Sequence, residues 1–184
     1  AGVLDGQLTG GDVAFTGIST DTRTLSAGTL FFALQGPNFD GHAYVEAARE
    51  RGAAAAAVSK PCDTTLPRIT VNDTRLALGR LSADWRRRFE LPVIGITGSN
   101  GKTTVRAMLA AILAQCGRTL SSQGNLNNDI GLPLTVPVLT SDVRCHMLEM
   151  GADRAGQSDF LGGGGGGGGG VVEAAGAAVR AGGG

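Results

Sequence analysis

Residues 97–104, Thr97-Gly98-Ser99-Asn100-Gly101-Lys102-Thr103-Thr104, constrain the fold more than any other stretch of the chain. Ahead of them Val93, Ile94 and Ile96 form a β-branched run of the kind buried inside a parallel sheet. Behind them Val105, Met108, Leu109, Ile112 and Leu113 recur at i, i+3, i+4, i+7 and i+8. That spacing predicts an amphipathic helix from Thr103 that stops at Gly117. Strand, tight glycine turn and helix in this order aim several backbone N–H groups and the positive end of the helix dipole at one point. Lys102 adds charge for a phosphate, and a threonine hydroxyl adds an oxygen for Mg2+. The combination points to a nucleoside triphosphate. The common phosphate loop places a glycine five positions before its Gly-Lys pair; here that place is Ile96, and the glycines fall at Gly95 and Gly98, so the loop is a variant.

Residues 143–150 (VRCHMLEM) read as a second strand of the same sheet, ending at Gly151. Glu149 would then lie at the carboxyl edge beside the phosphate loop, where open α/β sheets bind ligands. It either holds Mg2+, directly or through water, or is a solvated strand end. Residues 124–133 (GNLNNDIGLP) read as a loop near that edge. Asn125, Asn127 and Asn128 offer it both donors and acceptors for a polar ligand.

Leu91-Pro92 divides the chain into 1–91 and 92–184. The first part reads as a small α/β unit with strands over 29–34, 53–59 and 68–71. A helix over 43–51, with Tyr44, Ala47 and Ala48 on one face, ends at Gly52. A second helix runs from a cap at Asn72 or Asp73 to about Phe89, with Leu76, Leu78, Leu81 and Trp85 as its apolar positions. The cluster Ser19-Thr20-Asp21-Thr22-Arg23 is a turn or cap before it is a ligand site, and Phe39-Asp40-Gly41-His42 reads the same way, with His42 capping the next helix. His146 is expected to be a satisfied packing residue. Cys62, Cys116 and Cys145 are expected to be structural thiols.

Composition closes off other classes. Sixteen Lys and Arg balance sixteen Asp and Glu, so no overall basic field exists for nucleic acid or an anionic membrane. Hydrophobic residues at 42% against 17% charged exclude a disordered polyelectrolyte, and no apolar run approaches the roughly 20 residues of a membrane span. Without a secretory signal, a CxxC pair or a disulfide framework, a reducing cytoplasm is expected. Nine consecutive glycines at 162–170 and three at 182–184 carry neither Ser nor charge. They read as unassigned positions rather than a linker, and the alanine-rich 171–181 carries little more.

Taken in order, STDTRTLSAGTLFFALQGPNFDGHAYVEAARERGAAAAAVS, GITGSNGKTTVRAML, GNLNNDIGLPLT and LEMGA resemble the Mur ligases of peptidoglycan synthesis over roughly 4–160. The GNLNND loop is most similar to the branch that adds D-alanyl-D-alanine. The resemblance implies an α/β fold: a small N-terminal UDP-binding domain at 1–91, then part of a central P-loop ATPase domain with a mostly parallel sheet at 92–184. A C-terminal Rossmann-like domain lies outside these residues. It further implies a monomeric cytoplasmic ligase using ATP and Mg2+, with UDP-N-acetylmuramoyl-tripeptide and D-alanyl-D-alanine as substrates and no nucleic acid or membrane span. Gly98, Ser99, Asn100, Gly101, Lys102, Thr103 and Thr104 would bind the phosphates. Lys102 and Glu149 would be catalytic, and Thr103 with Glu149 would hold the metal. Thr22, Arg23, Asn38, Asp40 and His42 match stretches that approach the uridine nucleotide, and Asn125, Asn127 and Asn128 match the loop facing the sugar-peptide. Two departures stand out: the family's metal-binding His falls in the glycine tract, and its carbamylated Lys corresponds to Ala175. These residues alone are therefore expected not to complete a turnover. The rival readings are an amino-acid-adding ligase of the same family, a folylpolyglutamate synthase, a P-loop kinase or GTPase, and a UDP-sugar-binding module without catalysis.

Overall fold

Two apolar strand runs organise the two units into which the computed structural model divides, Ala1–Ser82 and Ala83–Gly184. The structure describes residues 1–89, 91–97, 101–121, 134, 140–149, 169–173 and 179–181. The first unit is a five-stranded sheet. From one edge it holds β1 (Gln7–Thr9), β7 (Arg68–Thr70), β6 (Ala55–Val58), β3 (Thr29–Phe32) and β2 (Gly17–Ser19). All neighbours are parallel except β1, which closes the edge antiparallel to β7. Every residue of β3 and β6 is buried, as strands covered on both faces require.

A two-residue turn, Pro37-Asn38, joins β4 (Gln35–Gly36) to β5 (Phe39–Asp40) in a small hairpin. The chain then makes a 3-10 turn, Gly41–Tyr44, and enters α1 (Val45–Glu50). Val45 and Ala48 of α1 join Phe31, Ala33, Ala56, Val58 and Leu66 in one core cluster. Gly52, at φ +84°, ends the helix in the left-handed conformation a glycine accepts without strain. The expected helix over 43–51 is thus shorter, and Tyr44 is exposed rather than packed, because the 3-10 turn rotates it off the buried face. Asp73 caps α2 (Thr74–Arg86), its Oδ1 accepting from the N–H groups of Arg75 and Leu76 at 2.7 and 3.1 Å. The buried face of α2 is Thr74, Ala77, Leu78 and Ser82, with the Thr74 hydroxyl donating to the Ala33 carbonyl. Leu76, expected on that face, is exposed: it lies two steps of about 100° from Leu78.

In the second unit β8 (Val93–Thr97) is central. It pairs in parallel with β10 (Val143–Glu149) on one side and β11 (Gly169–Glu173) on the other. β9 (Arg118–Ser121) lies parallel beyond β10, and β12 (Val179–Ala181) antiparallel beyond β11. Among the described residues Leu91, Val93, Val143 and Leu148 form one core cluster, with Trp85, Phe89 and Leu120 packed on it. α3 (Lys102–Leu113) follows β8 as the spacing predicts, but its expected apolar face is only partly used. Val105, Leu109 and Leu113 are half-buried, whereas Met108 and Ile112 are 62% and 60% exposed. The i, i+4, i+8 row meets its neighbours, and the row displaced from it by about 100° does not. Among the described residues no helix is long and apolar enough to cross a membrane.

His146 departs from expectation. It is 1% exposed, and among the described residues neither ring nitrogen has a hydrogen-bond partner. Burial first, and the Arg86 charge second, lower its pKa from 6.5 to about 4. The folded state therefore binds fewer protons than the unfolded state between those values. Its contribution to stability is complete above pH 6.5 and is lost as pH falls toward 4. Urea unfolding should show a loss of up to about 3 kcal/mol over that window, absent in His146→Leu. Gly79, inside α2 with open space where a Cβ would stand, offers the opposite test. Gly79→Ala should raise the unfolding free energy by about 1 kcal/mol in the same assay.

Candidate functional site

Parallel pairing brings the carboxyl ends of β8, β10 and β11 to one edge. Glu149 lies opposite Ile96, and Glu173 opposite Thr97, so a carboxylate-bearing residue flanks the end of β8 on each side. The strand order β12-β11-β8-β10-β9 reverses direction at β8, since the chain leaves it for β9 and later returns past it to β11. Crevices at such reversals are where open α/β sheets bind ligands. α3 starts on this edge. Gly101 is its N-terminal cap at φ +75°, a left-handed conformation, and no side chain caps the helix. The first intrahelical bond runs from the Val105 N–H to the Gly101 carbonyl, so the N–H groups of Lys102, Thr103 and Thr104 remain at the helix mouth. Lys102 is half-buried there, and Thr103 and Thr104 are exposed. Gly98, Ser99, Asn100, Asn125, Asn127, Asn128 and Ala175 lie outside the described residues.

In the first unit a cavity of about 450 Å3 is lined by Thr20, Asp21, Thr22, Arg23, Phe31, Phe39, Gly41 and Tyr44. Its polar wall is the short turn Thr22–Thr24. Asp21 caps that turn, its Oδ1 accepting the Arg23 N–H at 2.9 Å. The Arg23 guanidinium folds back on the same carboxylate at 2.6 Å and holds the Asp21 carboxyl down at about 2. The Arg23 side chain is 85% exposed, so this pair is screened by water and weak, and the guanidinium is free to turn to another anion. The apolar wall is Phe39 and Tyr44, 51% and 53% exposed. The Phe39 ring lies over Gly36, where any Cβ would collide with it. Sequence reasoning missed both aromatics. The available signal was an aromatic on either side of Asp40-Gly41-His42, in a segment too polar to be a core strand.

Thr22 and Arg23 line the cavity as expected, and Asn38 stands exposed at the tip of the β4–β5 turn. Asp40 and His42 are arranged differently. Asp40, rather than His42, is the cap: its Oδ1 accepts from the His42 N–H at 3.0 Å and meets the ring Nδ1 at 2.5 Å. Its other oxygen meets Lys60 at 2.9 Å, which with the His42 bonds holds the carboxyl well below the usual carboxylate range. His42 Nε2 accepts from the Ser59 backbone N–H at 2.9 Å. Both ring nitrogens are therefore engaged within the protein.

Comparison with known proteins bears on both sites. The family model "Mur ligase family, catalytic domain" matches residues 14–86, and "Mur ligase middle domain" matches residues 96–163. The UDP-N-acetylmuramoyl-tripeptide–D-alanyl-D-alanine ligase of Escherichia coli is 47% identical over 155 residues, covering 84% of this chain and 34% of its own length. Its Bacillus subtilis counterpart is 42% identical over 149 residues, covering 79% and 32%. A crystal structure of MurF from Acinetobacter baumannii superposes with a TM-score of 0.73 at 41% identity, covering 78% of this chain and 32% of that one. The MurF ligase of Thermotoga maritima in complex with ADP gives 0.70 at 28% identity, covering 79% and 34%. The chain spans about a third of the length of these relatives.

The cavity wall predicts its own weak point. The Gly41 N–H donates to the Leu34 carbonyl at 2.7 Å, and a Cβ there would lie 2.7 Å from that oxygen and 2.8 Å from the Leu34 nitrogen. Both are backbone atoms, which cannot swing aside. Gly41→Ala should cost on the order of 2 kcal/mol in urea unfolding.

Proposed function

Because the chain belongs to the Mur ligase family, we propose that it is part of an ATP-dependent ligase joining D-alanyl-D-alanine to UDP-N-acetylmuramoyl-tripeptide. The observation that carries this reading is the end of β8, which opens onto Gly101 and Lys102 with Glu149 in register beside it. Residues 1–91 are assigned to the UDP-sugar-peptide and residues 92–184 to ATP. The protein is assigned to the cytoplasm as a monomer.

In this reading ATP transfers its γ-phosphoryl group to the terminal carboxylate of the tripeptide, releasing ADP. The amine of D-alanyl-D-alanine then attacks the activated carbonyl, phosphate leaves, and the nitrogen gives up a proton as the amide forms. Little covalent work falls to the protein; the barrier drops through positioning and charge neutralisation. Lys102 faces the β and γ phosphates. The N–H groups of Gly101, Lys102, Thr103 and Thr104, with Gly98, Ser99 and Asn100, cradle the phosphate oxygens. The Thr103 hydroxyl and the Glu149 carboxylate are hard oxygen donors of the type Mg2+ takes, the remainder of its shell coming from water and phosphate. That ion would supply charge neutralisation at the phosphates. Thr22 and Arg23 receive the diphosphate and Asn38 the edge of the nucleotide, while Phe39 and Tyr44 give the uracil an aromatic wall. Asn125, Asn127 and Asn128 are assigned to the sugar-peptide.

Calorimetric titration of the chain and its Lys102→Ala variant tests the assignment. Lys102→Ala should weaken Mg-ATP by more than about tenfold and leave UDP-N-acetylglucosamine binding unchanged. Unaltered ATP binding in the variant would remove Lys102 from the phosphate site.

A further inference from the structure

Asp40, His42 and Ser59 form a chain of hydrogen bonds with one proton arrangement. Ser59 N–H can only donate, so His42 Nε2 must be bare to accept it at 2.9 Å. The ring proton of neutral His42 then sits on Nδ1 and points to Asp40 Oδ1 at 2.5 Å. Asp40 is anchored in turn by Lys60 at 2.9 Å, and the His42 side chain is only 8% exposed. The bonds connect two separate pieces of chain. Asp40 and His42 belong to the β4–β5 hairpin and the turn that follows it; Ser59 and Lys60 directly follow β6. Phe39, Gly41 and Tyr44, interleaved with Asp40 and His42, line the 450 Å3 cavity.

We propose that neutral His42 is a positioning residue, a clamp that ties the hairpin to the end of β6 and so holds the aromatic wall of the cavity, and that protonating His42 opens it. A second proton on the ring must go to Nε2, which then faces the Ser59 N–H donor to donor. The Ser59 hydroxyl, 3.3 Å from Nε2, can receive that proton, but the backbone N–H loses its acceptor. The titratable and charged groups of the adjoining segments have partners of their own and do not substitute for the lost bond. On β5 there is Asp40, already bonded. After β6 stand Lys60 and Cys62, whose thiol burial pushes up. On α1, Glu46 is paired with Arg49 and Thr64. Beyond Ser59, Asp73 caps α2 and Arg75 donates to the Gln35 carbonyl.

The inference rests on reading the cavity as a uridine-diphosphate-sugar site, and its test separates the two. UDP-N-acetylglucosamine is the probe, because its diphosphate diester keeps its charge from about pH 5.5 to about pH 8. Its dissociation constant would be measured over that range for the 184-residue chain and for His42→Gln, which keeps a donor and an acceptor but does not titrate. In parallel, NMR would follow the His42 ring nitrogens and hydrogen exchange at the Ser59 amide. Wild-type affinity should fall about tenfold as the His42 ring protonates, with the protection of the Ser59 amide, its exchange rate relative to the intrinsic rate at each pH, falling about tenfold along the same curve. His42→Gln should bind with no such dependence. An equal pH dependence in His42→Gln, or affinity and exchange that ignore the His42 titration, overturns the clamp. If the variant does not fold, the two wild-type curves decide alone. If no probe binds at any pH, the cavity reading has failed, and Ser59 protection still judges the clamp: its loss sustains it and its constancy overturns it.

Discussion

Parallel strand pairing is the constraint on which both units rest. Strands that run the same way deliver all their carboxyl ends to one edge, and the chain must return across a face of the sheet to start the next. In the second unit this places Thr97, Glu149 and Glu173 within one register step of each other, at the edge where Gly101 opens α3. In the first unit the segments that follow β3 and β6 leave from one edge in the same way, and they carry the hairpin and Ser59. The chemistry therefore collects at strand and loop ends, while β3 and β6, which place it in the first unit, are buried throughout.

The two sites use polar groups in contrasting ways. At the turn Thr22–Thr24, Asp21 and Arg23 pair in water, where an ion pair adds little stability and is readily exchanged for a ligand. At Asp40 and His42 the ring is shielded, each bond has a defined partner, and removing one leaves a donor without an acceptor. The first arrangement suits recognition and the second suits architecture. Gly101 caps α3 at φ +75°, a left-handed conformation that a glycine accepts without strain.

Much of this was legible in the sequence, for physical reasons that can be named. The β-branched run before Gly98 and the 3.6-residue period after Lys102 are long signals, and β8 and α3 fall where they indicate. So do β3, β6, β7, β10, and the Asp73 cap. β1, β2 and the β4–β5 hairpin were not legible: two or three residues carry no period, and none stands out as the β-branched RITV run of the equally short β7 does. Which face of a helix is covered depends on its neighbours, so Leu76, Met108 and Ile112 misled. Asp40 and His42 were visible as a polar motif, but their partners Ser59 and Lys60 are 17 and 20 residues away, a pairing only the fold creates. His146 is the reverse case: burial follows from its apolar strand, while the lack of a partner at either ring nitrogen follows from packing.

On the proposed function, a uridine nucleotide sugar and ATP occupy distinct sites, one in each unit. Amide chemical shifts recorded on adding Mg-ATP and then UDP-N-acetylglucosamine test it most directly. Two non-overlapping sets of amides should shift, the first around Gly101 to Thr104 and the β8 and β10 ends, the second around Thr22, Arg23, Phe39 and Tyr44. Perturbation of one shared set by both ligands, or of neither, would contradict it.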